Sequence, residues 1–260
     1  MASNLVRTEI KESVAVVTID RPESLNALNS QVIQELDRAV HQLDSDKNVK
    51  VVVLTGSGEK AFIAGGDIKE MLSLDVSAAH TFSRAGQSLV LFIQEMKKAV
   101  IAAVNGYALG GGLELALACD FIYAAERARL GLPEVTLGVL PGFGGTQTLA
   151  RAIGPARAKE LIFSGRVLSA REALAWGLVN GVYPDQELLD QVVEIAHKIA
   201  RNGSLAITSA KQAIVQGLDL SRADGVRLEN DLFADLFDTA DQKEGLRAFI
   251  EKRKPEFKGV

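Results

Sequence analysis

Two glutamates stand out for their surroundings. Glu114 sits in GGGLELALAC (110–119), one charge in an apolar stretch behind three glycines. Glu134 sits in LGLPEVTLGVLPGFGG (130–145), again a single acid in a long apolar run. A third glycine-rich segment, AFIAGGDIKEM (61–71), carries no isolated acid but places Ala64, Gly65 and Gly66 before Asp67. Glycines remove side chains and let backbone N–H groups approach a ligand closely. A helix opening after Gly110–Gly112 presents free first-turn N–H groups, where negative charge is favoured. Two such groups from different loops, aimed at one carbonyl oxygen, form an oxyanion hole. A carboxyl buried beside them has a raised pKa suited to proton transfer. The combination suits general acid–base work on a carbonyl compound. Against it stand plainer readings: Glu114 as a helix-dipole partner, Glu134 as a surface loop residue, and Asp67 as a helix cap.

Other chemistries have less support. TGSGEKA (55–61) matches a relaxed G-x-G-x-x-A fingerprint, but FIAGGD follows where a helix is required, so a polar surface turn is expected instead. His41, His80 and His197 are far apart without ligand spacing, and no G-x-S-x-G elbow occurs. Cys119 reads as a small core residue and Trp176 as packing. A net charge of −4 with no basic block disfavours nucleic acid. A single cysteine fits a reducing compartment, and the N-terminal residues show no long apolar run, so a cytoplasmic protein without a membrane span is expected.

The elements that must position these residues alternate. Residues 13–20 and the apolar runs 49–55 and 99–104 read as strands, with a further strand at 119–125. Between them, Ser30 caps a helix reaching about Leu43, with Val32, Ile33, Leu36, Ala39, Val40 and Leu43 on one face, and a second helix spans 78–98. A short helix through Ile68–Met71 starts at Asp67. Strands alternating with helices define an α/β class. From Asp185 to Lys252 the apolar spacing is helical throughout, with further helices at 204–217, 220–238 and 241–252. An α/β core with an all-helical tail follows, and such apolar terminal helices need the core or another subunit to pack on.

With these segments in view, the whole chain resembles the enoyl-CoA hydratase/isomerase (crotonase) family. The likeness is carried by TIDRPESLNALN (18–29), AFIAGGDIKEM, KKAVIAAVNGYALGGGLELALACD (97–120), LGLPEVTLGVLPGFGGTQTLARAIG (130–154), GLVNGVYP (177–184) and the C-terminal AFIEKRKPEFKG. The resemblance implies a spiral of β-β-α turns over residues 1–190. Residues 191–260 would form a C-terminal helical domain that builds a homotrimer or a dimer of trimers.

It also implies roles. Backbone N–H groups of Gly66 and Gly111 form the oxyanion hole. Glu114 activates the water that adds to C3, Glu134 exchanges the proton at C2, and the Gly142 N–H helps seat the water. Ser24, Leu25, Ala64, Asp67, Ile68 and Lys69 fall along the substrate and coenzyme A path, with Phe249 and Lys252 near the adenine end across a subunit boundary. Ile68, Met71, Phe92, Leu113 and Phe143 are expected around the acyl group. Many members carry a lysine where this chain has Glu23, so the phosphate contact made there is not expected here. No permanent cofactor is implied, coenzyme A being part of the acyl-CoA thioester substrate. Isomerase-type members usually keep only the later acid, so Glu114 favours hydration of a short- to medium-chain trans-2-enoyl-CoA. Double-bond migration, methylglutaconyl-type hydration and a non-catalytic oligomeric subunit are the alternatives.

Overall fold

A computed structural model describes residues 4–260. Strands β1 (Val6–Lys11) and β2 (Val14–Ile19) form an antiparallel hairpin whose turn holds Glu12 in the left-handed region at φ 55°. Helix α1 (Ser30–Ser45) follows, then β3 (Val51–Gly56), β4 (Ala61–Ile63), α2 (Ile68–Met71) and α3 (Val76–Glu95). The next turn of chain is β5 (Ala99–Val104), β6 (Tyr107–Leu109) and α4 (Gly111–Ala118). After it come β7 (Phe121–Ala125), β8 (Arg129–Gly131), a 3₁₀ turn at Glu134–Leu137, and helices α5 (Gly145–Ile153) and α6 (Pro155–Ser164). The chain continues through β9 (Leu168–Ser169), α7 (Ala170–Ala175) and β10 (Gly181–Tyr183). It finishes in α8 (Leu188–Ala200), α9 (Ser204–Gly217), α10 (Arg222–Asp235) and α11 (Ala240–Ile250).

Three successive strand pairs, β3–β4, β5–β6 and β7–β8, each send their first member to a six-stranded sheet of order β1-β2-β3-β5-β7-β10. The second member joins a four-stranded sheet of order β4-β6-β8-β9. All neighbours from β2 to β10 in the large sheet are parallel, as are β4, β6 and β8 in the small one. The result is the expected spiral of β-β-α turns. Strands β3 and β5 are buried along their full length. Their side chains alternate between two cores, as the period of two dictates. Val52, Leu54, Val100 and Ala102 face the main core under α1, α3 and α4, whereas Val51, Val53, Ile101 and Ala103 face Leu188, Val192, Ala196 and Ala200 of α8.

Local details depart from expectation where distant groups intervene. The cap of α1 is Asn29, whose Oδ1 accepts the Val32 N–H at 2.8 Å, rather than Ser30. The Ser30 N–H and hydroxyl are taken by the carboxylate of Glu70, from α2. Helix α3 begins at the Asp75 cap and stops at Glu95, short of residue 98, because Met96 turns to extended backbone and Lys97 N–H bonds Asp44 at 2.7 Å. The helix expected over 220–238 is α10 plus a 3₁₀ turn at Leu236–Asp238. Cys119 is buried, and burial pushes its thiol far up, as a core residue requires.

Helix α9 is tied to the core by one buried lysine. The Lys211 Nζ donates to the carbonyls of Ile93 and Lys98 at 3.1 and 3.2 Å and to Asp120 Oδ2 at 3.1 Å. Asp120 also accepts the Val100 N–H at 2.7 Å. The outer helices keep many apolar side chains exposed, among them Ile214, Leu218, Phe233, Phe249 and Ile250. No helix among the described residues is long and apolar enough to cross a membrane.

Candidate active site

The two glycine loops meet at the rim of the small sheet. Gly66 forms a parallel bridge with Leu28, in which Leu28 N–H bonds Gly65 C=O and Asp67 N–H bonds Leu28 C=O, both at 2.8 Å. That pattern leaves the N–H of Gly66 itself pointing away from Leu28. Gly65 holds φ 111°, open to glycine alone. On the second loop Gly110 takes φ 50° and donates to Gly131 C=O at 2.9 Å, so α4 begins at Gly111 with its first N–H groups free. Gly66 and Gly111 line one cavity of about 250 Å³.

The adjoining glycine, Gly112, packs α4 directly onto β4. A Cβ there would overlap the Ile63 carbonyl and stand 2.8 Å from Ile63 Cβ. Gly112→Ala is therefore expected to destabilise the protein by about 1–3 kcal/mol, checked by urea melts against wild type. Gly138→Ala offers a control, because it adds only the strain of φ 76° with no atom within 4 Å of its Cβ.

Glu114 lies in the first turn of α4 and is 1% exposed. Its Oε1 accepts the Phe143 N–H at 2.8 Å and the Gly145 N–H at 2.7 Å. Gly145 must be glycine to allow this, since its Cβ would stand 2.9 Å from that oxygen. Burial, its largest influence, and the charge of Glu134 push the Glu114 carboxyl up while the Gly145 and Phe143 N–H donors pull it down, and the balance lies at about 7. Glu134 starts the 3₁₀ turn after Pro133. Its Oε2 is buried without a hydrogen-bond partner, and burial raises its pKa as well. Gly110 makes room for it, because a Cβ there would lie 2.9 Å from Glu134 Oε1.

The cavity gathers Glu114, Glu134, Gly66, Gly111, Gly142, Ala64 and Ile68, seven of the residues singled out in the sequence. Met71 and Phe143 join them, but Phe92 and Leu113 do not. Phe92 stacks on His41 at 3.6 Å, on the α1 side of α3, and Leu113 is fully buried in the core. Asp67 is also outside the cavity. Its Oδ1 caps α2 through the Lys69 and Glu70 N–H groups, and its Oδ2 pairs with Arg21 at 2.7 Å, which holds its pKa down. The Leu25 carbonyl accepts the Ala64 N–H at 3.1 Å, so the 24–25 backbone abuts the first glycine loop. Leu25 and the 57–61 turn border a separate surface cleft of about 340 Å³. Lys69 is exposed on α2, and Phe249 and Lys252 are exposed at the end of α11, away from the cavity lining.

The wall that sequence reasoning missed comes from α3 and the 137–140 segment: Ala79, Phe82 and Ser83, with Leu137, Val139 and Leu140. Ala79, Phe82, Ser83 and Gly86 recur at helical spacing, a mostly small-sided stripe that could have marked this face. No group of three or more potential metal ligands occurs among the described residues.

A spiral of β-β-α turns carries one cavity in which two uncommitted glycine N–H groups lie beside one buried and one half-buried acid. Residues 9–260 match the enoyl-CoA hydratase/isomerase family, and the chain belongs to it. It is 46% identical to the short-chain-enoyl-CoA hydratase of Clostridium acetobutylicum over 256 residues, covering 98% of each chain. It is also 46% identical to the crotonyl-CoA hydratase of Syntrophomonas wolfei, covering 99% of each. The crystal structure of an enoyl-CoA hydratase from Bacillus anthracis superposes with a TM-score of 0.96 at 42% identity, over 98% of this chain and 100% of that one.

Proposed function

We propose that this protein is an enoyl-CoA hydratase, a hydro-lyase that reversibly adds water to a trans-2-enoyl-CoA and yields the 3-hydroxyacyl-CoA. The observation that carries this reading is the shared cavity, in which two acids of raised pKa face two uncommitted backbone donors. The thioester oxygen accepts the N–H groups of Gly66 and Gly111, which draw electrons from the conjugated double bond. A water, seated with help from the Gly142 N–H, gives its proton to the Glu114 carboxylate as its oxygen bonds C3. The electron pair moves onto the thioester as an enolate, held by the two donors and the N-terminal end of α4. The Glu134 carboxyl then protonates C2. Both transfers occur on one face, giving syn addition, and dehydration reverses each step. The presence of both acids favours hydration over double-bond migration.

Ala64, Ile68 and the backbone at Ser24 and Leu25 follow the thioester and pantetheine arm in this reading, with Lys69 nearby. Phe249 and Lys252, exposed at the end of α11, reach the adenine end of a neighbouring copy. The exposed apolar side chains of α9–α11 support assembly through residues 191–260 into a homotrimer or a dimer of trimers.

Mixing the purified protein with crotonyl-CoA should bleach the enoyl-thioester absorbance, with a product heavier by one water. A shifted double bond without added water would make it an isomerase, and no reaction would reject the assignment. The pH profile follows from the signs of the shifts. Hydration needs Glu114 deprotonated, so kcat/KM should fall as pH drops through about 7. It needs Glu134 protonated, so loss of the Glu134 proton, which burial delays, lowers the rate as pH rises. The two acids titrate as an interacting pair.

A further inference from the structure

The loop that grips Glu114 is itself gripped, and by groups the reaction does not touch. The carbonyl of Gly142 accepts the Ser83 Oγ–H at 2.6 Å and the Gln87 Nε2–H at 3.0 Å. Gln87 Nε2 also reaches Ser83 Oγ at 3.2 Å. Gly142 C=O and Phe143 N–H belong to one planar peptide group, and that N–H donates to Glu114 Oε1 at 2.8 Å. Fixing one end of the plane therefore fixes the direction of the other, and hydrogen bonds arranged in series polarise one another.

The same face of α3 also seats the Phe143 ring. Gly86 lies three residues beyond Ser83 and one before Gln87, and a Cβ on it would overlap that ring. On its other side the ring lies against Gly111, whose Cβ would stand 3.2 Å from Phe143 Cε2. Side chain and backbone of Phe143 are thus both set by the Ser83–Gly86–Gln87 stripe. Hydroxyl, hydrogen and amide occupy positions i, i+3 and i+4, which face one way on a helix.

We propose that Ser83 and Gln87 are positioning residues for Glu114: by holding the Gly142–Phe143 peptide, they aim its N–H at the carboxylate. The inference rests on the acid–base role given to Glu114 above. Ser83, half-buried at the cavity wall, carries the larger share, and the more exposed Gln87 reinforces it. Other charges do not compete for the site. Of the elements packed on α4, α3 bears His80, Arg84 and Glu95 and α5 bears Arg151, all exposed. Strand β4 has no titratable group, and β6 and β7 contribute only Tyr107 and Tyr123. Glu134 is the one charge that acts on Glu114.

The test compares Ser83→Ala, Gln87→Leu and the double variant by two readouts. With crotonyl-CoA, the double variant should lose about 10-fold in kcat, and the acid limb of its pH profile should move up by about 0.5–1 pH unit, the result of weakening one donor to a buried carboxylate. Ser83→Ala should give most of the effect, and Ser83→Thr, which keeps the hydroxyl, should restore both values. The second readout needs no turnover. The difference in melting temperature between each protein and its Glu114→Gln counterpart, followed against pH, reports the titration of Glu114, and its midpoint should rise in the double variant. A midpoint that stays in place overturns the proposal, whether kcat is unchanged or falls with the melting temperature, because the contacts are then only a loop staple. A midpoint that moves in a protein without hydratase activity would uphold the positioning role and reject the reaction.

Discussion

Glu114→Gln is expected to lower turnover by about 10²–10⁴ while making the protein more stable at pH 8. The loss follows because glutamine cannot accept the proton of the attacking water. The gain follows from linkage. In the unfolded chain this carboxyl titrates near its ordinary value of 4.5, whereas in the folded protein it holds its proton up to about 7. Between those values the folded state binds more protons than the unfolded state, so stability falls as pH rises through that window and stays low above it. A shift of that size corresponds to about 3 kcal/mol. Glutamine removes the buried charge and still offers Oε1 to the Phe143 and Gly145 N–H groups. Melting temperatures should therefore coincide near pH 5 and diverge by several degrees near pH 8. Glu134→Gln should lose turnover to a similar extent, with a different signature. Removing its charge relieves the repulsion on Glu114, so residual activity should keep its acid limb at lower pH. Near-normal turnover in either variant would remove that glutamate from the mechanism.

Lys211→Met should cost about 2 kcal/mol of folding stability, the expected result of removing the buried member of a part-buried ion pair that also donates to two carbonyls. Lys211 is the countercharge of Asp120, whose pKa burial raises even with the lysine in place. Two carbonyls, those of Ile93 and Lys98, lose a donor at the same time. Without Lys211, Asp120 keeps its proton to higher pH in the folded state, so the deficit should grow as pH rises. Lys211→Met combined with Asp120→Asn should recover more than half of the loss, since asparagine can still accept the Val100 N–H. Urea melts of the two single variants and the double variant measure the coupling directly. A deficit below about 1 kcal/mol in Lys211→Met would mean that water replaces the lysine.

The long strands were legible in the sequence because a strand covered on both faces has no polar positions, as in VVVLT and AVIAAV. The strands β4, β6 and β8 were not, because each has three residues and exists only by pairing with the others across the spiral. Local pattern carries no trace of such pairing. The cap of α1 shows the same limit on a smaller scale. Asn29 and Ser30 are both able caps, and the choice falls to a carboxylate 40 residues away. At the site, Glu114 and the glycine runs were visible because an isolated charge and three successive glycines are costly without a purpose. The face of α3 that turns to the cavity was marked only by its small-sided stripe of Ala79, Ser83 and Gly86, a weak signal beside an acid or a glycine run. The resemblance put Phe92 around the acyl group, yet the helix turns it toward His41, and the wall falls to Ala79, Phe82 and Ser83.

The donors at Gly66 and Gly111 are main-chain groups, present in every residue except proline. A point substitution can therefore rarely delete them; it can only crowd them. What heredity must preserve at these positions is an absence, the missing side chains that Met71, Phe143 and Leu28 would otherwise strike. Apart from Ser83, the wall built by α3 and residues 137–140 is under no such constraint, since its side chains touch the cavity without carrying the donors. Under the hydratase reading, descendants of this chain are thus free to change the acyl groups they accept by drifting along that wall, while the grip on the carbonyl passes on unaltered.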